Sequence, residues 1–356
     1  GIRDRSPSRG LGDVYKRQLW SFSSLIKPTF LILFNIKYLI INVMKLGAFV
    51  PQGWRMDLTD ISSDKQWETI VNSAKKIENL NYDSIWVYDH FHTVPVPTLD
   101  PTFECWSLMA AISQVTTKAR IGQMCTCNSY RNPSYLTKVA STVDVMSGGR
   151  LEYAIGAGWY DQEYRSYGYD YPTDGVRLKM LEESLIIYKK MTTEDYSTYD
   201  GQYYQISDAI NEPKPLQKPH PPLWVCGGGE KVTLKLLAKY GDYGNWDVDL
   251  DGFIWKSEIL KKYCEEENKN FTSIGRTLHT DVVIAENDEK LKKLVEKTAQ
   301  QRNIDAEKLS MRPLVGTVNQ VQDMLGKFDE AGCSYLIAYV SDVTWGDTLE
   351  LLRDSV

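Results

Sequence analysis

The 356-residue chain has only four histidines, and His90 and His92 are the sole close pair. HExxH is absent, and an i,i+2 pair presents two ligands together only on a strand or loop, so no metal centre is expected. Six cysteines (Cys105, Cys125, Cys127, Cys226, Cys264, Cys333) include no CxxC pair. That excludes a zinc ribbon and gives no disulfide framework; a reducing cytoplasm fits best. Positive charge is also short. The formal net charge of -6 argues against nucleic acid as a partner, because such binders need a basic surface to displace counterions. Nor is any apolar run long enough for a membrane span of about 18 residues. The best candidate, Thr29 to Val43, is interrupted by Asn35 and Lys37.

What is present reads as a globular protein: 42% hydrophobic and 25% charged residues supply a large core. The composition breaks at Met44. Residues 1–43 carry seven basic and two acidic residues, whereas the remainder has 34 basic against 45 acidic. The opening GIRDRSPSRGLGDVYKRQ resembles translated sequencing-adapter read-through, and residues 19–43 read as AT-rich upstream DNA in frame. Residues 1–43 are therefore expected to be non-native or upstream, with a signal anchor over Thr29 to Val43 as the competing reading, and a single domain is expected over 44–356.

From Met44 onward, short apolar runs alternate with helical periodicity. LGAFV (46–50), SIWVY (84–88), ARIGQMCT (119–126), LEYAI (151–155), LWVC (223–226), YGNWDV (243–248), LHTDVVIA (278–285) and SYLIAYV (334–340) read as strands. Trp67, Ile70, Val71, Ala74 and Ile77 form one helical stripe; Leu136, Val139, Val143 and Met146 another, ending at Gly148 and Gly149; Val321, Met324, Leu325 and Phe328 a third. Near-continuous apolar strands joined by helices imply a parallel sheet covered on both faces. Eight such units predict an α/β fold, a (β/α)8 TIM barrel. Residues 196–207 read as a hairpin insertion turning at Asp200-Gly201, followed by a proline-rich strap over 213–222.

In that architecture chemistry sits after the strands. Asp89-His90-Phe91-His92 follows the second strand and offers a carboxylate beside a group that titrates near neutrality. A helix-capping Asp with a solvent-exposed His fits the same spacing. Gly156-Ala157-Gly158 follows the fourth strand, where missing side chains let a flat ligand approach; the GxGxxG fingerprint is not completed, so a Rossmann reading fails. Gly227-Gly228-Gly229 follows the fifth and suits a phosphate at a helix start, without a Walker lysine. Arg131, just before a helix near Pro133, reads as either an anion contact or a surface arginine. Cys125 and Cys127 alternate on the third strand and read as small core residues. Aromatic density (Trp54, Trp159, Tyr160, Tyr164, Tyr167) fits an apolar or planar small-molecule substrate or simple loop packing.

GQMCTCNSYRNPSYLTKVASTVDVMSGGRLEYAIGAGWYDQEYRSYGYDYP (122–172), with DSIWVYDHF, EPKPLQKPHPPLWVCGGGEKVTL and TWGDTLELL, resembles the bacterial luciferase-like monooxygenase superfamily and specifically its coenzyme F420-dependent oxidoreductase branch. The resemblance implies a TIM barrel, usually a homodimer, with a flavin or deazaflavin at its mouth. It implies that Asp89 and His90 lie near the reacting ring, that a bulge at Met124, Cys125 and Thr126 backs the cofactor, that Gly156, Ala157 and Gly158 contact it, and that Gly227, Gly228 and Gly229 form the phosphate loop. YGNWDVDLDGF departs from the branch's usual ADGWN-like run. The expectation is an F420-dependent hydride transfer in which His90 moves a proton and Asp89 fixes its tautomer. Its rivals are a monooxygenase using reduced FMN from a separate flavin reductase, and a noncatalytic flavin-binding protein.

Overall fold

Each apolar run that forms a strand alternates its side chains between two cores. In SIWVY, Trp86 and Tyr88 join Phe49, Ala154, Trp224, Tyr335 and Ile337 in the barrel lumen. Ile85 and Val87 point outward to the layer beneath the helices. Burial on both faces is why the run shows no polar alternation. Trp86 is accommodated by glycines on the neighbouring strands: a Cβ at Gly47 would stand 2.5 Å from its Nε1, and one at Gly122 would overlap its six-membered ring.

The computed structural model describes residues 44–356, so the expectations for residues 1–43 lie outside the described residues. Among the described residues the strands are β1 (Lys45–Phe49), β2 (Ser84–Val87), β3 (Arg120–Gln123), β4 (Thr126–Cys127), β5 (Leu151–Gly156) and β6 (Ser197–Asp200). They continue with β7 (Gln205–Ala209), β8 (Leu223–Cys226), β9 (Tyr243–Trp246), β10 (Gly275–Ala285), β11 (Leu314–Thr317) and β12 (Tyr335–Tyr339). The helices are α1 (Ser63–Asn79), α2 (Cys105–Val115), α3 (Pro133–Met146), α4 (Asp161–Tyr167), α5 (Asp174–Thr193) and α6 (Thr233–Tyr240). After them come α7 (Leu250–Glu266), α8 (Asp288–Arg302), α9 (Ala306–Ser310), α10 (Val318–Glu330) and α11 (Thr348–Arg353).

Parallel pairing runs β1-β2-β3-β5-β8-β9, and β9 pairs β10, β10 pairs β12 and β12 pairs β1. The eight-stranded (β/α)8 barrel expected from the sequence is thus closed. The third predicted strand is broken: β3 stops at Gln123, a cis peptide joins Met124 to Cys125, and β4 resumes against β5. β6 and β7 form the antiparallel hairpin, but its loop is longer than the Asp200-Gly201 turn, because Gly201 donates to Tyr204 and the Glu183 carboxylate accepts from the backbone of Gln202, Tyr203 and Tyr204. The strap is tied down by Asp144, which accepts from the backbone of Leu216 at 2.7 Å and of Gln217 at 3.1 Å.

Two helical stripes shift. Trp67 is 41% exposed, and Gln66, Ser73, Ala74 and Ile77 line the inner face of α1 with Ile70. Met146, at the last turn of α3, is also exposed. No sequence strand was assigned to β11, which pairs with the outer half of β10 from Val282 to Ala285. None of the helices among the described residues is long and apolar enough to cross a membrane.

Candidate functional site

The C-terminal ends of the barrel strands open into a cavity of ≈ 730 Å³, within the usual range of about 300–1,000 Å³ for small-molecule sites. Of the sequence candidates, Asp89, His90, Met124, Cys125, Gly158, Gly227 and Gly228 line it. Thr126, Arg131, Gly156, Ala157 and Gly229 do not.

His90 is the best-defined polar group in the cavity. Its ring stacks on Trp54 with centroids 4.1 Å apart and planes within 1°. The edges of Trp159 and Tyr160 approach at 5.9 Å and 6.0 Å. Nδ1 lies 2.8 Å from Oε2 of Glu163, and Nε2 has no partner among the described residues. Glu163 comes from the first turn of α4 and is fully buried. Its Oε1 accepts from the Phe91 backbone at 2.8 Å and its Oε2 from the Tyr130 hydroxyl at 2.9 Å. Burial pushes the Glu163 pKa up, but the hydrogen bond and charge of His90, with the Phe91 and Tyr130 donors, hold it below the ordinary carboxylate range. An ionised carboxylate on Nδ1 fixes the ring orientation and turns Nε2 to the cavity.

This corrects the role expected for Asp89. Its carboxylate accepts from both terminal nitrogens of Arg131 at 2.7 Å and 3.0 Å and from the Cys127 backbone at 2.9 Å. Adjacent side chains on an extended segment point apart, so the tautomer-fixing acid is Glu163, 73 residues further along the chain. The anion contact considered for Arg131 is corrected as well. Its guanidinium is committed to Asp89 and, at 2.8 Å, to Glu104. His92 donates no contact to the cavity: its Nδ1 is 3.3 Å from the neighbouring Thr93 carbonyl and its ring meets the edge of Tyr160.

The cavity floor is sulfur-rich, with Met124, Cys125 and Cys226 converging; the Cys226 thiol lies 3.5 Å from the Met124 sulfur. Cys127 turns instead to the Tyr164 hydroxyl at 3.1 Å, so the two cysteines of the third strand do not act as a pair. Gly156 is required by packing, since a Cβ there would stand 2.8 Å from the Cys125 sulfur. Thr126 is buried and accepts from the Trp106 indole at 3.1 Å. Ala157 packs against the main core. At the glycine triplet, Gly227 has φ +116°, a conformation that favours glycine. Gly228 accepts from the Lys256 ammonium at 2.7 Å. Helix α6 starts only at Thr233, so the triplet is separated from it by residues 230–232. Gly229 lies on an adjoining open groove with Gly228, Lys231 and Thr233.

Sequence reasoning missed a second polar pole. Asp281, from β10, accepts from Arg55 at 2.8 Å and Arg302 at 2.6 Å, with Arg312 at 3.6 Å. Burial pushes its pKa up, yet the three guanidiniums hold it below the ordinary range. Arg55, Arg302, Asp247 and His279 line the cavity. Asn245, Trp246, Asp247 and Val248 also line it, so the run that departs from the expected pattern contributes to the site. Four atoms of lining residues are buried without a hydrogen-bond partner among the described residues: Trp54 Nε1, Tyr88 Oη, Trp246 Nε1 and His279 Nε2.

A barrel with a ligand-sized cavity at the strand ends, walled by aromatic rings and holding a carboxylate-oriented histidine, has the form of a small-molecule site. The chain belongs to the luciferase-like monooxygenase family, whose description "Luciferase-like monooxygenase" matches residues 44–333; this is a family of oxidoreductases. The F420-dependent glucose-6-phosphate dehydrogenase of Amycolatopsis mediterranei (strain U-32) is 27% identical over 225 residues, 59% of this chain and 63% of that protein. The FMNH(2)-dependent dimethylsulfone monooxygenase of Pseudomonas putida is 29% identical over 112 residues, 32% of this chain and 31% of that protein. The chain thus spans less than two thirds of these relatives. A solved F420-dependent secondary alcohol dehydrogenase superposes with TM-score 0.74 at 20% identity, covering 88% of this chain and 98% of that one. At that identity the likeness concerns the fold.

Proposed function

We propose that the protein is an F420-dependent oxidoreductase acting on a small organic substrate. The observation that carries the reading is His90, held on one side by ionised Glu163 and presenting Nε2 to a cavity large enough for a planar cofactor beside a substrate. The orphaned Trp54 and Trp246 indole N–H groups, with the open backbone at Gly227, fit a bound polar, ring-bearing molecule. A deazaflavin, when bound, supplies a two-electron acceptor for hydride.

The chain's own part is positioning and proton handling. His90 receives a substrate proton at Nε2, or returns it in the reverse direction. Glu163 acts through His90 as a positioning residue that stabilises the protonated ring. Trp54 covers one face of the imidazole and keeps water from it, and Met124, Cys125 and Cys226 form an apolar floor. Support for F420 comes from the F420-branch motifs between residues 122 and 172 and from the relative matched over 59% of the chain. Similarity to an FMNH(2)-dependent enzyme supports a second reading, a flavin monooxygenase served by a separate reductase. Titration of the purified protein with F420 and with FMN, followed by oxygen-electrode measurements, separates them. F420 is expected to bind more tightly, with turnover independent of oxygen. Tight FMN binding with oxygen uptake and no F420 affinity would give the second reading.

A further inference from the structure

The arginine pole carries more donors than its own carboxylates use. Arg55, Arg302 and Arg312 face Asp281 and Asp247, and Asp57, held by the Tyr339 hydroxyl, stands behind the ring that covers Arg55. A guanidinium has five N–H donors. Among the described residues, Arg55 and Arg302 each give one hydrogen bond, both to the same Asp281 oxygen. Aromatic rings cover the faces of Arg55, with Tyr339, Tyr88 and Trp54 centroids at 4.2 Å, 5.2 Å and 5.3 Å. Its unused N–H edge is therefore what remains for the cavity that Arg55 lines. Tyr88 Oη, in a residue 3% exposed, and His279 Nε2 border the same region as buried polar atoms without partners. Leaving the donors of buried guanidiniums unused is costly in a protein that binds nothing there.

The geometry points to a subsite for an anionic group, a carboxylate, phosphate or sulfonate, carried by the substrate and gripped by Arg55 and Arg302. Its place in the barrel gives the orientation. The arginine pole comes from the loop after β1, from β10 and from the end of α8, whereas the glycines and sulfurs follow β3, β5 and β8 across the ring. Trp54 lies against both Arg55 and His90, and Arg55, Arg302 and His90 line one cavity, so a molecule anchored there by its anion shares the space that Nε2 of His90 faces. This inference rests on the oxidoreductase reading for the word substrate; the anion subsite itself stands on the arginines.

The test is calorimetric titration of the full chain with inorganic phosphate at constant ionic strength, alone and in the presence of F420 or FMN. Saturable phosphate binding is expected, undiminished by either cofactor. Arg302→Gln is expected to weaken it by about tenfold or more, while F420 and FMN affinities move less than about threefold. Arg302→Lys keeps the charge but not the fork and falls between; circular dichroism checks that each variant is folded, and Arg55→Lys repeats the test from the other side. Absence of phosphate binding in the wild type overturns the inference, as does equal affinity in all folded variants. Phosphate competing with F420, with cofactor affinity falling in Arg302→Gln, also overturns it and gives the arginines to the cofactor's own phosphate. Phosphate binding in a chain that takes neither F420 nor FMN sustains the subsite and overturns the oxidoreductase reading alone.

Discussion

Two buried carboxylates stand on different sides of the barrel mouth, Glu163 and Asp281, and both are held ionised by their neighbours. Their neighbours differ in kind. Glu163 is satisfied by a backbone N–H, a phenol and one imidazole, so a single proton on His90 decides whether that network is charged. Asp281 is surrounded by guanidiniums that never lose their protons. The first arrangement suits a group that gives and takes a proton; the second holds a fixed charge and suits an anchor. Removing one residue at a time from either site breaks the contrast.

The largest effect is expected at His90. His90→Ala should lower turnover roughly 10²- to 10⁴-fold while cofactor affinity stays within about tenfold. Glu163→Gln keeps an acceptor for Nδ1 but removes the charge, so it should slow turnover and move the pH–rate midpoint to lower pH. The double variant should be little worse than His90→Ala, because the two act as a unit. Asp89→Asn should leave the midpoint in place and act on stability through Arg131. A midpoint that moves with Asp89→Asn and not with Glu163→Gln would reverse these assignments.

Asp281→Asn comes next. Removing the carboxylate leaves three buried or half-buried guanidiniums facing one another, and a loss of about 3–5 kcal/mol is expected from urea unfolding. Glu163→Gln, which strands no permanent charge, should cost less. Equal losses at the two sites would erase the distinction between a proton network and a charge anchor.

How much of this was legible in the sequence follows from what each residue touches. The eight barrel strands were readable because burial on both faces writes a continuous apolar run, as in SIWVY and LWVC. β11 was not, because its four residues alternate buried and half-buried beside the outer end of β10. The stripe on α1 slipped because Gln66 and Ser73 face the barrel while Trp67 turns out, which an apolarity pattern cannot register. His90 was found from its place after β2. Its partner Glu163 was not, since the contact spans 73 residues. The arginine pole left one trace: Asp281 stands at the head of the apolar VVIA end of β10, and a carboxylate inside a barrel strand needs a cation.

His279 tests the fixed-charge side by pH. It lies beside Asp281, and burial, with Arg55 and Arg312 opposing two carboxylates, lowers its pKa to about 4. An unfolded histidine titrates near about 6.5. Between these values the unfolded chain holds a proton that the folded chain does not, so stability falls as pH drops from about 6.5 to about 4. His279→Gln should flatten that part of the stability curve by about 3 kcal/mol. The acid losses from Glu163 and Asp281 remain in both proteins and cancel in the difference. An unchanged slope would mean that His279 is protonated in the folded state and adds to the positive charge at that pole.

The smallest effect is expected two residues from the largest. His92 shares with His90 its residue type and its loop, but not its setting: no carboxylate holds it, its Nδ1 meets only the Thr93 carbonyl at 3.3 Å, and it is not among the residues lining the cavity. If proton handling depends on the ionised partner and access to the cavity, and not on having an imidazole near the barrel mouth, His92→Ala should keep turnover within about threefold of wild type with an unmoved pH–rate midpoint. Stability should change little, because Nε2 of His92 makes no hydrogen bond to lose. Parallel kinetics on His90→Ala and His92→Ala decide the matter. Loss of turnover in His92→Ala with activity retained in His90→Ala would move the proton to His92 and leave the Glu163 network a packing device, making both carboxylates at the mouth structural.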